Sequence, residues 1–293
     1  MTTPCSFLRR VESREGLSTM VARARVINDT YSTLIPDVAV WEMLFSVFPP
    51  DAYPEIAALS REYTGHHVVS ELLLRYYPAE RVVKYHLVKE RIGQPDEVTI
   101  FEMYVDTSRV DLARINGKSY AFEVKTEFDR LDRLPRQMED YAKVFEHVSA
   151  VVHESHLERA LDLVPEFCGV QVYTIAESGI DLCTIRPPEP SKMVTAEAQV
   201  RNLSSKDLAE VLRQVGLPDP RRRDERAALV LRECDPEQVN VCFKAVLKRK
   251  YQKQWDYLQS IFDQIEPIDI QAFYRTEADP KWVYYKYSSI VYR

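Results

Sequence analysis

The pair Asn116-Gly117, set between two short runs of alternating large apolar residues, constrains this chain more than any other feature. Asn-Gly in that setting is among the strongest local signals for a β-hairpin. The flanking runs are Val110-Asp111-Leu112-Ala113-Arg114-Ile115 and Lys118-Ser119-Tyr120-Ala121-Phe122-Glu123-Val124-Lys125. Side chains alternate faces along a strand, so the loop length decides which residues of the two strands share a face. A two-residue turn pairs Ile115 with Lys118 and sends Asp111 and Glu123 to opposite faces. A three-residue loop, Ile115-Asn116-Gly117 with Gly117 left-handed, sets Val110 against Phe122 and Leu112 against Tyr120. One face is then apolar, and the other gathers Asp111, Ala121, Glu123 and Lys125. The apolar pattern selects this second register, and with it a cluster of two carboxylates and an ammonium.

An acid on one strand and Glu-x-Lys on its hairpin partner resemble the core motif of the PD-(D/E)XK nuclease superfamily, here Asp111, Glu123, Val124 and Lys125. Gln137 and Tyr141 stand four apart on an expected helix, hence on one face. They match the Gln-x-x-x-Tyr motif of the RecB and lambda exonuclease branch. The run from Thr126 to Leu134 and the segment Pro165-Glu166-Phe167-Cys168-Gly169-Val170 are similar to a bacterial family within that superfamily, and the resemblance spans roughly Tyr63 to Arg186. It implies that Asp111, Glu123 and the carbonyl of Val124 hold Mg²⁺ or Mn²⁺. Oxygen ligands suit such an ion, which neutralises phosphate charge and activates water. Lys125 would orient or deprotonate that water, and Gln137 and Tyr141 would position the lysine or the phosphate. Many members add an acid from the helix before the first core strand, and Glu71 is the best-placed candidate. His66 and His67 neighbour it, although such histidines more often serve as surface or core residues.

With 45% hydrophobic and 29% charged residues, the 293-residue chain has the composition of a soluble globular protein. It shows neither a membrane-length apolar run nor a signal-peptide pattern, so a cytoplasmic protein is expected. Its five scattered cysteines suggest neither a disulfide framework nor a zinc site. Residues 1–59 read as an N-terminal helical support region, 60–187 as the nuclease core, and 188–293 as a mostly helical C-terminal region after the break at Pro187-Pro188-Glu189-Pro190. In the core a helix is expected from Ser60 to Tyr77, then a strand or helix end at Val82–Leu87 and a strand at Val98–Val105 ahead of the hairpin. A helix beginning near Leu134-Pro135 follows, with an apolar stripe of Leu134, Met138, Tyr141, Phe145 and Val148. A strand at Ser149–His153, a helix from His156 to Val164, and strands at Gly169–Ile175 and Ile180–Ile185 complete the region. The fold class is therefore α/β (α+β), with a restriction-endonuclease-like αβββαβ core and a C-terminal helical region.

The net charge of −6 argues against indiscriminate polyanion binding, so the placement of bases matters more than their sum. Between Arg201 and Lys253 there are 13 Lys and Arg against 8 Asp and Glu, whereas the rest of the chain has 26 against 37. A helix from Leu203 to Gly216, capped by Ser204 or Ser205, and a second after Arg221-Arg222-Arg223 resemble a SAP-type DNA-binding module that lacks its inner glycine. Arg221, Arg222 and Arg223, with Lys248, Arg249 and Lys250 on a helix expected from Val239 to Ile265, are the candidate phosphate contacts. The tyrosine-rich tail from Phe273 to Tyr292 is expected to pack on the core or to form a late hairpin. The resulting expectation is a metal-dependent nuclease hydrolysing DNA, serving in phage defence, restriction or DNA processing, with a homodimer or protein partner open and no membrane. The alternative is a catalytically silent nuclease-fold protein that binds nucleic acid or a protein partner.

Overall fold

Six helices precede any strand in the computed structural model, which describes residues 2–176 and 179–285. They are α1 (Pro4–Glu15), α2 (Leu17–Thr30), α3 (Asp37–Val47), α4 (Tyr53–Glu62), α5 (Gly65–Tyr76) and α6 (Glu80–Lys89). Next come β1 (Val98–Val105), β2 (Ser108–Ile115), β3 (Ser119–Lys125), α7 (Leu134–Ala142), β4 (His147–His153), α8 (Leu157–Leu163), β5 (Gly169–Ala176) and β6 (Gly179–Arg186). The remainder is helical: α9 (Ala196–Arg201), α10 (Ser205–Gln214), α11 (Arg223–Glu233), α12 (Pro236–Ile261), α13 (Ile270–Thr276) and α14 (Pro280–Val283). The architecture is α+β, a six-stranded mixed sheet with a helical C-terminal region. The chain forms two compact units, one holding residues 2–89, 175–176, 179–180 and 257–285, the other residues 90–174 and 181–256.

In the first unit, capping chemistry decides where helices start. The Thr3 hydroxyl accepts from the Ser6 amide, and Ser6 answers with the Thr3 amide, a reciprocal cap on α1. The single helix expected from Ser60 to Tyr77 is two helices, because Thr64 caps α5 through the His67 amide and the Asp37 carboxylate takes the Gly65 amide at 2.6 Å. A Cβ at Gly65 would lie 3.0 Å from the Val40 side chain, so any larger residue would have to push Val40 aside. Val82–Leu87, expected as a strand or helix end, belongs to α6. Phe7, Leu8, Met20, Ile27 and Trp41 form the fully buried apolar core. Beside it, Asp269 accepts from Thr33 at 2.6 Å, Tyr284 at 2.7 Å and Tyr31 at 2.9 Å, so a fully buried carboxylate is satisfied by three hydroxyls. The described part of the tyrosine-rich tail carries two short helices, α13 and α14, joined by a non-helical link at 277–279, and its expected continuation past residue 285 lies outside the described residues.

The second unit carries the sheet, in the order β1-β2-β3-β4-β5-β6. β1, β2 and β3 are antiparallel neighbours, whereas β4 lies parallel to both β3 and β5. Every residue of β4 is buried, as expected of a strand paired on both sides. The helix expected to run on to Val148 stops at Ala142. The Tyr141 carbonyl accepts both the Val144 and Phe145 amides there, and Val148 pairs with Ala121 in the sheet instead. In the C-terminal region, Ser204 and Asp207 form a capping box on α10. At the other end Gly216, at φ +70°, closes the helix with bonds from Leu217 to Leu212 and from Gly216 to Arg213. Lys244 of α12 reaches the Gly117 carbonyl at 2.8 Å and Glu146 at 3.0 Å, fastening this region to the hairpin turn. No helix among the described residues is long and apolar enough to cross a membrane.

Candidate functional site

The pairs Leu112↔Phe122 and Ile115↔Ser119 fix β2 against β3 two residues away from the expected register, and the loop is Asn116-Gly117-Lys118. Ile115 stays in the strand because its side chain is fully buried, and exposed Lys118 takes the loop position beside Gly117 at φ +88°. A shift of two preserves facing, so Asp111, Ala121, Glu123 and Lys125 still share one side. It also moves Asp111 from opposite Ala121 to opposite Glu123.

The structure adds an acid that the sequence reading missed. Glu102 of β1 lies between the pairs Phe101↔Leu112 and Met103↔Val110, which sets it opposite Asp111. One of its carboxylate oxygens is within 4.8 Å of one on Asp111. Three adjacent strands therefore each place an acid in one row across the sheet. Glu102 has φ +58°, rare for a residue other than glycine, and Arg109 Nε lies 2.6 Å from its carboxylate. The available signal was the Asp106-Thr107 turn, from which counting back along both strands pairs residue 102 with residue 111.

This row does not lie on a solvated face, since Asp111 is 6% and Glu123 2% exposed. Buried carboxylates are costly unless donors reach them, and here donors converge. The Val124 amide donates to Asp111 Oδ2 at 2.7 Å, which is the contribution the structure records for Val124, whose carbonyl was the expected ligand. Glu123 Oε1 accepts from Lys125 Nζ at 2.7 Å and from Gln137 Nε2. The Tyr141 hydroxyl lies 2.7 Å from Glu123 Oε2 and 2.7 Å from the Arg109 carbonyl, so its one proton serves two acceptors. Burial first, and then the Glu123 charge, push the ionisation of Tyr141 far above its ordinary range and keep it a donor. Helix α7 delivers both side chains: Pro135 opens its first turn, and Leu134, Met138, Tyr141 and Ala142 bury its inner face.

The other candidates are distributed as follows. Glu71 lies on α5 in the first unit, where it lines a cavity of about 380 Å³ with Cys5, Arg9, Glu12 and Arg75. His66 is fully buried with Nδ1 2.7 Å from the Tyr31 hydroxyl, and His67 meets Glu266 at 2.9 Å. Of the candidate phosphate contacts, Arg223 donates to the carbonyls of Val200, Arg201 and Leu203, and Arg222 pairs with Asp224 at 2.8 Å. Lys250 pairs with Asp207 at 2.9 Å, Arg249 with Glu210, and Lys248 approaches Asp96 at 3.8 Å. Arg221 is exposed, and no ion pair to it is found among the described residues. Much of the basic excess in the C-terminal region is thus spent within the chain.

Residues 77–273 match the family model for bacteriophage P4 protein cII, and the chain belongs to that family. The matched span contains the whole row of acids, Lys125, Gln137 and Tyr141, and leaves out Glu71. Protein cII of Enterobacteria phage P4 is 28% identical over 124 residues, which is 42% of this chain and 47% of that protein. The chain therefore spans about half the length of this relative. No solved structure matches.

Proposed function

We propose that this protein is a metal-dependent nuclease that hydrolyses DNA phosphodiester bonds with Mg²⁺ or Mn²⁺. One observation carries the reading: Lys125, Gln137 and Tyr141, which belong to two separate sequence motifs, converge on a single buried carboxylate, Glu123. A surface hairpin with incidental charges gives no reason for a helix 14 residues downstream to aim two donors at that group.

The donor set fits a hard divalent ion. It is all oxygen: Asp111 and Glu102 with carboxylate oxygens within 4.8 Å of each other, Glu123 opposite Asp111 on the next strand, and the Val124 carbonyl next in sequence, which suits Mg²⁺ or Mn²⁺ better than a softer metal. When bound, such an ion supplies charge neutralisation at the phosphate and a more acidic water. The protein's own groups do the rest. Lys125 holds and orients the attacking water and stabilises charge developing on the phosphate. Gln137 and Tyr141 fix the plane of the Glu123 carboxylate, and the Val124 amide fixes Asp111. Of the six candidate bases, exposed Arg221 is the one whose side chain has no ion pair or hydrogen bond among the described residues, and it would meet backbone phosphates. A bacteriophage family is in keeping with the processing of mobile DNA.

The test is a gel of circular, linear and single-stranded DNA incubated with purified protein and each of Mg²⁺, Mn²⁺ and Ca²⁺. Cleavage of at least one substrate is expected with Mg²⁺ or Mn²⁺, and its loss in folded Asp111→Ala and Lys125→Ala variants. Equal cutting by wild type and both variants would refute the assignment.

A further inference from the structure

We propose that Lys125 occupies the place of the divalent ion on Glu123 and is displaced when the ion binds, so that metal loading itself releases the ammonium for catalysis. The inference rests on the metal-ion reading above and concerns how that site is switched on.

Glu123 is a nearly saturated acceptor. Two donors share Oε1 and a third meets Oε2, against roughly four lone-pair sites on a carboxylate. One direction remains open, so charge rather than crowding decides which donor gives way to an incoming cation. Tyr141 is held by complete burial and by its second acceptor, the Arg109 carbonyl. Gln137 is neutral, so a cation on the same carboxylate does not repel it. Lys125 alone of the three is positively charged and carries a long flexible stem, and its side chain retains 12% exposure. Electrostatics selects the same group, because a cation on Glu123 repels an ammonium 2.7 Å from the same oxygen and leaves neutral donors undisturbed. Lys125 thus neutralises Glu123 in the absence of metal and is evicted by the better cation. On leaving, it remains on the face that carries Asp111, where a water or phosphate oxygen becomes its next partner.

The experiment uses the full chain, with Mn²⁺ titrated by calorimetry. In parallel, acylation of Lys125 by a water-soluble activated ester is followed by peptide mass spectrometry. Acylation of Lys125 is expected to rise severalfold on Mn²⁺ saturation in wild type and to stay flat in Asp111→Asn. Lys125→Met, which lacks the competing ammonium, is expected to bind Mn²⁺ about five to ten times more tightly, the worth of a partly buried ion pair. Mn²⁺ binding with unchanged or reduced acylation, or with no gain in Lys125→Met, would overturn the displacement and leave the metal-ion reading standing. Absence of Mn²⁺ binding in wild type would overturn both.

Discussion

Replacing Tyr141 by phenylalanine removes one oxygen and nothing else from the inner face of α7, and the geometry says what that oxygen is worth. Its hydroxyl is 2.7 Å from a Glu123 carboxylate whose side chain is 3% exposed, so the lost bond is a charge-assisted one in a region that water enters poorly. Such a bond contributes about 1.5–3 kcal/mol. At about 2–4 °C per kcal/mol for a domain of this size, the metal-free melting temperature of Tyr141→Phe should fall by about 3–12 °C in scanning calorimetry. Saturation with Mn²⁺ should shrink the deficit, because a cation on Glu123 satisfies the same charge by another route. A double-mutant cycle with Glu123→Gln isolates the pair and should give about 1–2 kcal/mol of coupling. A melting temperature within about 1 °C of wild type, or additive single mutants, would refute the idea that Glu123 is the point of convergence.

Three further outcomes are expected. Burial raises the Asp269 carboxyl to about 6, and burial lowers His66 to about 4. The first makes the folded state bind more protons than the unfolded one between pH about 4 and 6, so its share of stability falls as pH rises. The second makes the folded state bind fewer between about 4 and 6.5, so its share falls as pH drops. The two slopes oppose each other, so chemical denaturation of Asp269→Asn should show a steeper loss of stability from pH about 6 down to about 4 than wild type, whereas identical pH profiles in wild type and variant would contradict this. Gly216→Ala forces a left-handed Cβ at the end of α10 and should cost about 1 kcal/mol in urea denaturation. Arg221→Gln should weaken DNA binding and lower its salt slope by about one, while Arg223→Gln, whose guanidinium holds three backbone carbonyls, should lower stability and leave that slope unchanged.

The hairpin, its faces and the helix that follows were legible because each rests on a local rule: Asn-Gly for the turn, period two for the strands, proline in the first turn of α7. The exact register was not, since it depends on whether Ile115 is worth more in the strand than in the loop, and that is settled by burial against the rest of the sheet. Glu102 escaped notice for a related reason. Its neighbours alternate like those of any strand, and only the pairing of β1 with β2 aligns it with Asp111. Helix breaks were misjudged where a distant side chain decides them, as Asp37 does at the start of α5. The C-terminal bases read as a nucleic-acid surface because sequence shows charges without their partners, and Asp207, Glu210 and Asp224 take up several of them.

Manganese located by anomalous scattering in crystals of the full chain tests the central claim most directly. The strongest peak is expected on carboxylate oxygens of Asp111 and Glu123, with Lys125 no longer on Glu123. Peaks confined to other places, with Glu123 still holding Lys125, Gln137 and Tyr141 at saturating manganese, would contradict it.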